Sequence, residues 1–324
     1  MAASILLQSM SLAPGTWANK DGHWGRFTAF CDSYSLPALP TNVHTLVLYV
    51  THLACAQNIS YQGIKNNLSS IRTFHLASGL SLPSPSQDHA LHHSLRGARK
   101  FLSKPVNQKL PVSAQILSAL LAQFDISSPF RSLMLLSYLT FLRLSSLVPT
   151  KLPFVPLKHL SWANVHLTPG SVVIKILKTK TIQCLESALV FTVEKHPTES
   201  VCLVAHLSAL RSTPGYPSSL YDPVFNFSSD PIKYPLSPPW VPYTRTRAMT
   251  ELKQALAAVG LNPDKFGWAS FRRGPASDYL MAGGDLEFLR AHGGWESTEF
   301  RKYLAIPSSR RAVVSQTLQN LILS

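Results

Sequence analysis

The chain has 324 residues, and at roughly 150 residues per domain that length suggests about two domains. Its 30 Lys and Arg outnumber its 16 Asp and Glu, giving a net charge of +14 although only 14% of residues are charged. Such a concentrated imbalance points to a polyanionic partner, nucleic acid before an acidic membrane surface, while a hydrophobic content of 45% excludes a disordered basic tail.

Four cysteines without a CxxC pair fit a reducing compartment and argue against a zinc knuckle or a disulfide scaffold. No HExxH, Walker A or GxGxxG run is present, so no metal, nucleotide or other cofactor is expected. The opening MAASILLQSM lacks a basic n-region, so no secretory signal is expected. The most apolar stretch, Leu133–Val148, carries Arg143 and several Ser and Thr. It falls short of the roughly 20 apolar residues of a membrane span, so no membrane association is expected.

The first hundred residues read as helices. A short one is predicted over Ile5–Ser11 and the next over Trp17–Tyr34, where Trp17, Trp24, Phe27 and Phe30 fall near helical spacing and suit a core. Thr41 or Asn42 caps a helix to about Gln57. Another runs from Ser60 to near Gly79, with Ile64, Leu68 and Ile71 on one face. A basic helix follows at His89–Leu102, bearing Arg96, Arg99 and Lys100.

The segment Lys104–Pro111 is rich in proline and lysine and poor in apolar residues, which makes it the domain boundary. The expected organisation is a helical domain over 1–103, a linker over 104–112 and a second domain over 113–324. Residues 1–110 carry 9 basic and 3 acidic residues and 111–324 carry 21 and 13, so both halves are basic. That suits two domains touching one long polyanion.

Helices are predicted over Ser113–Phe124 and Pro129–Leu142, then strands over Leu157–Leu167, Ser171–Leu177 and Ala188–Val193, the last two bracketing a Lys-Thr-Lys-Thr-Ile-Gln β-loop. A helix over Glu199–Arg211 leads to a Pro/Ser/Tyr-rich loop over Thr213–Pro242. Helices resume at Tyr243–Val259, Ser270–Ala282 with Ser270 as a plausible N-cap, Asp285–His292, Ser297–Tyr303 and from about Ser308. The fold class is therefore mainly α with a small β-sheet.

Chemistry-bearing groups are scattered over the second domain. Arg143 ends an apolar helix, where a charge is costly unless it meets an anion. Lys180, with Lys178 as its competitor, sits between two strands. Arg272 and Arg273 open a helix, and Trp295 in AHGGWES is followed by Tyr303 in FRKYL.

This order, an Arg, a hairpin Lys, a second Arg, a His or Trp, then a Tyr, resembles the tyrosine recombinase family over essentially the whole chain. SerPheArgArgGly, HisGlyGlyTrp and ThrLysThrIleGln look most like the recombinases of eukaryotic Crypton and DIRS-like mobile elements. The resemblance implies a helical core-binding domain followed by a tyrosine recombinase catalytic domain. It places Arg143 and Arg272 as the two arginines, Lys180 as the hairpin lysine, Trp295 at the His/Trp position and Tyr303 as nucleophile.

The residue types suit phosphodiester displacement. Arg offers planar, permanently charged donors to the non-bridging oxygens, and Trp295 an indole N–H. A phenol that attacks phosphorus conserves the bond as a phosphotyrosyl link, and a lysine protonates the leaving 5′ oxygen. No cofactor is implied. The resemblance further implies double-stranded DNA and the Holliday junction as partners, a homotetramer on DNA tied together by a C-terminal helix, and a nuclear location. Arg96, Arg99 and Lys100 on the helix before the linker, and Arg245 and Arg247 at the start of another helix, are candidate DNA contacts.

Two positions depart from the family pattern. The histidine three residues before the second arginine falls on Ala269, and the acid three residues after the first falls on Ser146. A one-residue shift would pair Ser270 with Arg273, but the ArgArgGly run favours Arg272. These departures motivate a second reading, a catalytically weakened or inactive DNA-binding protein of the same fold. A type IB topoisomerase-like relaxase, which shares the chemistry and works as a monomer, is a third.

Overall fold

The computed structural model describes residues 10–82, 86–104, 108–179, 188–228, 239–295, 301 and 304. The chain divides into two compact units, Met1–Asn107 and Gln108–Ser324. The predictions that fall on Ile5–Ser11, the 180–183 part of the β-loop, Ser297–Tyr303 and the C-terminal helix lie outside the described residues apart from Met10, Ser11 and Arg301. No helix among the described residues is long and apolar enough to cross a membrane.

The first unit is helical: α1 (Pro14–Ser33), α2 (Val43–Thr51) continuing into a π-helical turn (His52–Ala56), α3 (Tyr61–Ala77) and α4 (His89–Phe101). Local chemistry starts and stops them. The Asn42 side chain accepts from the Thr45 N–H, Ser60 from Gly63 and Asp88 from Leu91, which satisfies N–H groups that a helix start leaves open. Gly79 follows α3 at φ +73, a left-handed conformation that costs glycine little. The core contains Phe27, Phe30, Tyr49, Leu53, Ile64, Ile71, Leu91 and Leu95, with the Trp24 ring stacked on Phe74 at 4.9 Å.

The second unit holds α5 (Ala114–Leu121), α6 (Pro129–Thr140) and the single turn α7 (Leu144–Leu147). A three-stranded antiparallel sheet follows in the order β1 (Val165–Leu167), β2 (Ser171–Ile176), β3 (Leu189–Glu194). Then come α8 (Leu203–Ser212), the pair β4 (Asn226–Ser228) and β5 (Trp240–Pro242), α9 (Arg245–Ala258), α10 (Ser270–Met281) and α11 (Leu286–His292). Helix α6 is buried on nearly every face, which explains its continuous apolar run. In β2 the period of two places Val172, Ile174 and Ile176 in the core, opposite Val193, Phe191 and Leu189.

Three sequence expectations are corrected. The predicted strand Leu157–Leu167 is a strand only from Val165. Upstream, Leu160 donates its N–H to the Leu147 carbonyl at the end of α7 and Trp162 to that of Asp222, so partners outside the sheet take the groups a strand would need, and 162–164 form a 3₁₀ turn. The expected loop Thr213–Pro242 contains the β4–β5 pair, with Asn226 opposite Pro242. Tyr216 organises it, its hydroxyl donating to the Val224 carbonyl and accepting from the Asn226 N–H, both at 2.8 Å. Third, Ser270 is the first residue of α10 and not its cap. Ala269 takes the cap position without a side-chain bond, and Ser270 Oγ accepts from the Gly267 N–H at 3.1 Å.

Candidate active site

Helix α6 stops abruptly. Phe141 adopts φ 54, the left-handed region, and the chain turns so that Arg143 becomes the extended residue leading into α7. Arg143 is half-buried there, beyond the apolar helix that the sequence suggested it would end.

Arg272 lies in the first turn of α10 and is 4% exposed. Its Nη2 donates to the Gly293 carbonyl at 3.5 Å, and its guanidinium carbon stands 4.9 Å from the centre of the Trp295 ring. A buried guanidinium against an indole face gains a cation–π attraction of about 2 kcal/mol or more when desolvated. The turn that delivers Trp295 depends on two glycines. Gly294 sits at φ +59, and a side chain at Gly293 would collide with the Trp295 ring.

The Phe141 ring, two residues before Arg143, lies 5.9 Å from the Trp295 ring and forms with Ala276, Leu289 and Trp295 a small apolar cluster separate from the main core. His292 closes the same corner. Its Nε2 lies 2.8 Å from the Leu139 carbonyl, and its ring stands edge-on to Phe141 and Phe191. The structure thus brings Arg272 and Trp295 into contact and sets beside them the Arg143 segment, which lies well over one hundred residues earlier in the chain.

Ala269, one helical turn ahead of Arg272, is exposed. Ser146 is buried and lines a small crevice with His159, Asn164 and Lys175. Lys178 is half-buried just past the end of β2, whereas Lys180 and Tyr303 lie outside the described residues. Arg273 is also buried, and that burial lowers its pKa from the ordinary arginine value.

The candidate DNA contacts fall in two places. Arg96, Arg99 and Lys100 are all exposed on α4, opposite the buried face of Leu91, Leu95 and Ala98. Arg245 is exposed at the start of α9. Arg247 is also exposed but engaged, with Nε on Glu251 Oε1 at 2.5 Å and its guanidinium 4.6 Å from the centre of the Phe227 ring. The first N–H groups of α9 also have partners, Arg245 donating to the Pro149 carbonyl and Arg247 to Thr244 Oγ1. A phosphate at that helix end would have to compete with them.

Sequence reasoning missed Asp278. Its Oδ2 accepts from the Tyr138 hydroxyl at 2.5 Å and from the Ala114 N–H at 2.7 Å. The only local sign was a carboxylate among small and apolar residues in ArgGlyProAlaSerAspTyrLeu. An apolar groove of about 720 Å³ opens beside it, lined by Tyr138, Phe141, Pro275, Tyr279, Phe288 and Leu289 among others.

No protein-family model and no curated protein sequence matches the chain. Solved structures do share its fold. The Tn1549 transposon integrase in complex with circular intermediate DNA is 14% identical, with a TM-score of 0.59 over 96% of this chain and 97% of that one. A lambda integrase dimer bound to a COC′ core site is 14% identical, with a TM-score of 0.53 over 93% and 92% of the two chains. The XerH site-specific recombinase bound to palindromic difH substrate is 13% identical, with a TM-score of 0.53 over 91% of this chain and 76% of that one. The chain has the mainly helical fold of the site-specific tyrosine recombinases and integrases.

Proposed function

We propose that this protein is a site-specific DNA recombinase that cleaves and rejoins double-stranded DNA through a 3′-phosphotyrosyl intermediate. The observation that carries the reading is the buried Arg272 guanidinium packed on Trp295 beside the Arg143 segment, within this fold. An arginine held by packing, as Arg272 is, can meet a scissile phosphate without being reordered during reaction.

In the proposed reaction the Tyr303 hydroxyl gives up its proton to solvent as its oxygen attacks phosphorus, the bond to the 5′ oxygen breaks, and Lys180 gives that oxygen a proton. Attack by the freed hydroxyl on the phosphotyrosyl bond reverses the step on the partner strand and restores the tyrosine. Arg143, Arg272 and the Trp295 N–H carry the charge on the non-bridging oxygens.

Exposed Arg96, Arg99 and Lys100 support DNA-backbone contact by the first unit, read as a core-binding domain of residues 1–103 joined by a 104–112 linker to a catalytic domain of 113–324. A homotetramer on DNA that resolves a Holliday junction belongs to the same reading. The apolar groove beside Asp278 suits a neighbouring protomer's C-terminal segment, whose Val314, Leu318 and Leu321 fall near helical spacing. Origin in a Crypton or DIRS-like element, and hence a nuclear location, rests on the motif resemblance alone.

Exposed Ala269 favours a second reading, a weakened or inactive DNA-binding copy. A nicked suicide duplex decides between the two. The parent is expected to form a covalent adduct, and Tyr303→Phe to bind DNA equally well and form none. An adduct mapped to Tyr279 would overturn the site assignment, DNA binding without any adduct would select the second reading, and a monomer that turns over on DNA would select a relaxase.

A further inference from the structure

The two arginines are presented by elements that cannot set their own separation. Arg143 lies three residues past the end of α6, beyond the left-handed Phe141, so the helical hydrogen-bond ladder stops short of it and the end of α6 presents it through a short turn. Arg272 lies in the first turn of α10, and Pro275 stands within that helix. Proline has no N–H to donate to the carbonyl four residues earlier, Phe271, so the helical ladder is interrupted between the Arg272 turn and the rest of α10.

Tertiary pins stand where the ladder is weak. Leu110 donates its N–H to the Lys265 carbonyl at 2.7 Å, Val112 to that of Ser270 at 3.1 Å, and Ala114 to Asp278 Oδ2 at 2.7 Å. Residues 110, 112 and 114 are alternate positions, so this short strap offers its successive N–H groups along α10 and the loop before it. The same Asp278 oxygen takes the Tyr138 hydroxyl at 2.5 Å. Tyr138 is five residues before Arg143, and Asp278 six after Arg272. Burial, then the neighbouring carboxylate, raises the Tyr138 pKa well above its usual value, so the phenol stays a donor.

We propose that Asp278 is a positioning residue, which through Tyr138 and Ala114 locks the end of α6 that presents Arg143 to the helix that presents Arg272. The inference rests on the recombinase reading for its catalytic meaning. A misplacement of about 1 Å at a reacting centre can cost about 10²-fold in rate, so a loosened clamp is read in the chemical step more than in DNA binding.

The experiment compares Tyr138→Phe, Asp278→Ala and Asp278→Asn in the full-length protein, below the melting temperature of every variant. Asparagine keeps an oxygen acceptor where both bonds converge and serves as the conservative rescue. Tyr216→Phe is the control for loss of a buried phenol bond elsewhere in the same unit. Single-turnover cleavage of saturating suicide DNA is expected to fall about 10- to 100-fold in Tyr138→Phe and Asp278→Ala, with DNA affinity within about twofold of the parent. Asp278→Asn and Tyr216→Phe are expected to stay within a few-fold of the parental rate. Amide hydrogen exchange over 141–147 is expected to speed up in the two impaired variants and not in Tyr216→Phe.

Parental cleavage together with unchanged exchange in Asp278→Ala overturns the proposal, as does a rate loss in Tyr216→Phe equal to that in Tyr138→Phe. If the parent forms no adduct yet the exchange pattern changes as expected, the recombinase reading fails and the clamp stands. If the parent forms no adduct and the exchange pattern is also unchanged, both fail.

Discussion

Gly274 lies so close to Val112 that a Cβ built on it would stand 1.6 Å from the Val112 carbonyl oxygen. The strap that follows the boundary between the two units therefore rests directly on the backbone of α10, two residues beyond Arg272. Exposed helical Gly→Ala changes usually stabilise by about 0.5–1 kcal/mol. Gly97 in α4 meets nothing within 4 Å and should follow that rule. Gly274→Ala should reverse it, destabilising by about 1–3 kcal/mol or more, because either the helix or the strap must move. Chemical denaturation of the two variants checks both signs. A stabilised Gly274→Ala protein would show that the strap yields freely.

Ala269 is exposed at the cap position of α10, where a longer side chain has room to reach outward. Ser270 is buried with its hydroxyl accepting from the Gly267 N–H. A tyrosine with an ordinary pKa near 10 carries little phenolate at neutral pH, and an imidazole near 6.5 can accept its proton. Ala269→His is expected to speed suicide-DNA cleavage about 10-fold or more, short of the full effect of a general base. Unchanged cleavage by an active parent would mean that another group already fills the role.

Lys180 and Lys178 are distinguished by what each substitution can be rescued by. Lys180→Ala should cleave ordinary suicide DNA about 10²-fold or more slowly and recover with a 5′-bridging phosphorothiolate, whose sulfur leaves without a proton. Lys178→Ala should show neither the loss nor the recovery. Equal rescue of both variants, or rescue of Lys178→Ala alone, would move the general acid off Lys180.

His159 and His206 are buried in the second unit, and burial pushes both imidazoles from 6.5 down to about 4, helped by Lys158 beside the first and Arg131 beside the second. As pH falls, the unfolded chain takes up protons at these sites before the folded chain does. Stability is therefore complete above pH 6.5 and lost between there and about pH 4. Each site contributes on the order of 2–3 kcal/mol to that loss. Thermal melts from pH 7 to pH 4 should show the decline, and His206→Leu should flatten roughly half of it. A melting temperature independent of pH over that window would rule out neutral burial of these rings.

Much of the local structure was legible in the sequence. Asn42 caps one helix, Ser60 and Gly79 bound the next, and β2 and β3 lie where strands were expected. These signals are local, because a cap, a left-handed glycine or a period of two acts over a few neighbouring residues. The order of Arg143, Arg272 and Trp295 along the chain was equally plain. What it did not contain was their meeting: the indole under the Arg272 guanidinium, the Phe141 ring that draws the Arg143 segment alongside, and the Asp278 carboxylate bonded across 140 residues to Tyr138 and across 164 to Ala114. The failed strand at Leu157–Asn164 and the unforeseen β4–β5 pair have the same origin. Leu160, Trp162 and Ala163 took backbone partners from Leu147, Asp222 and Leu220, and β4 took its own from β5, because a hydrogen-bond donor in the chain names what it needs but not where the fold will supply it.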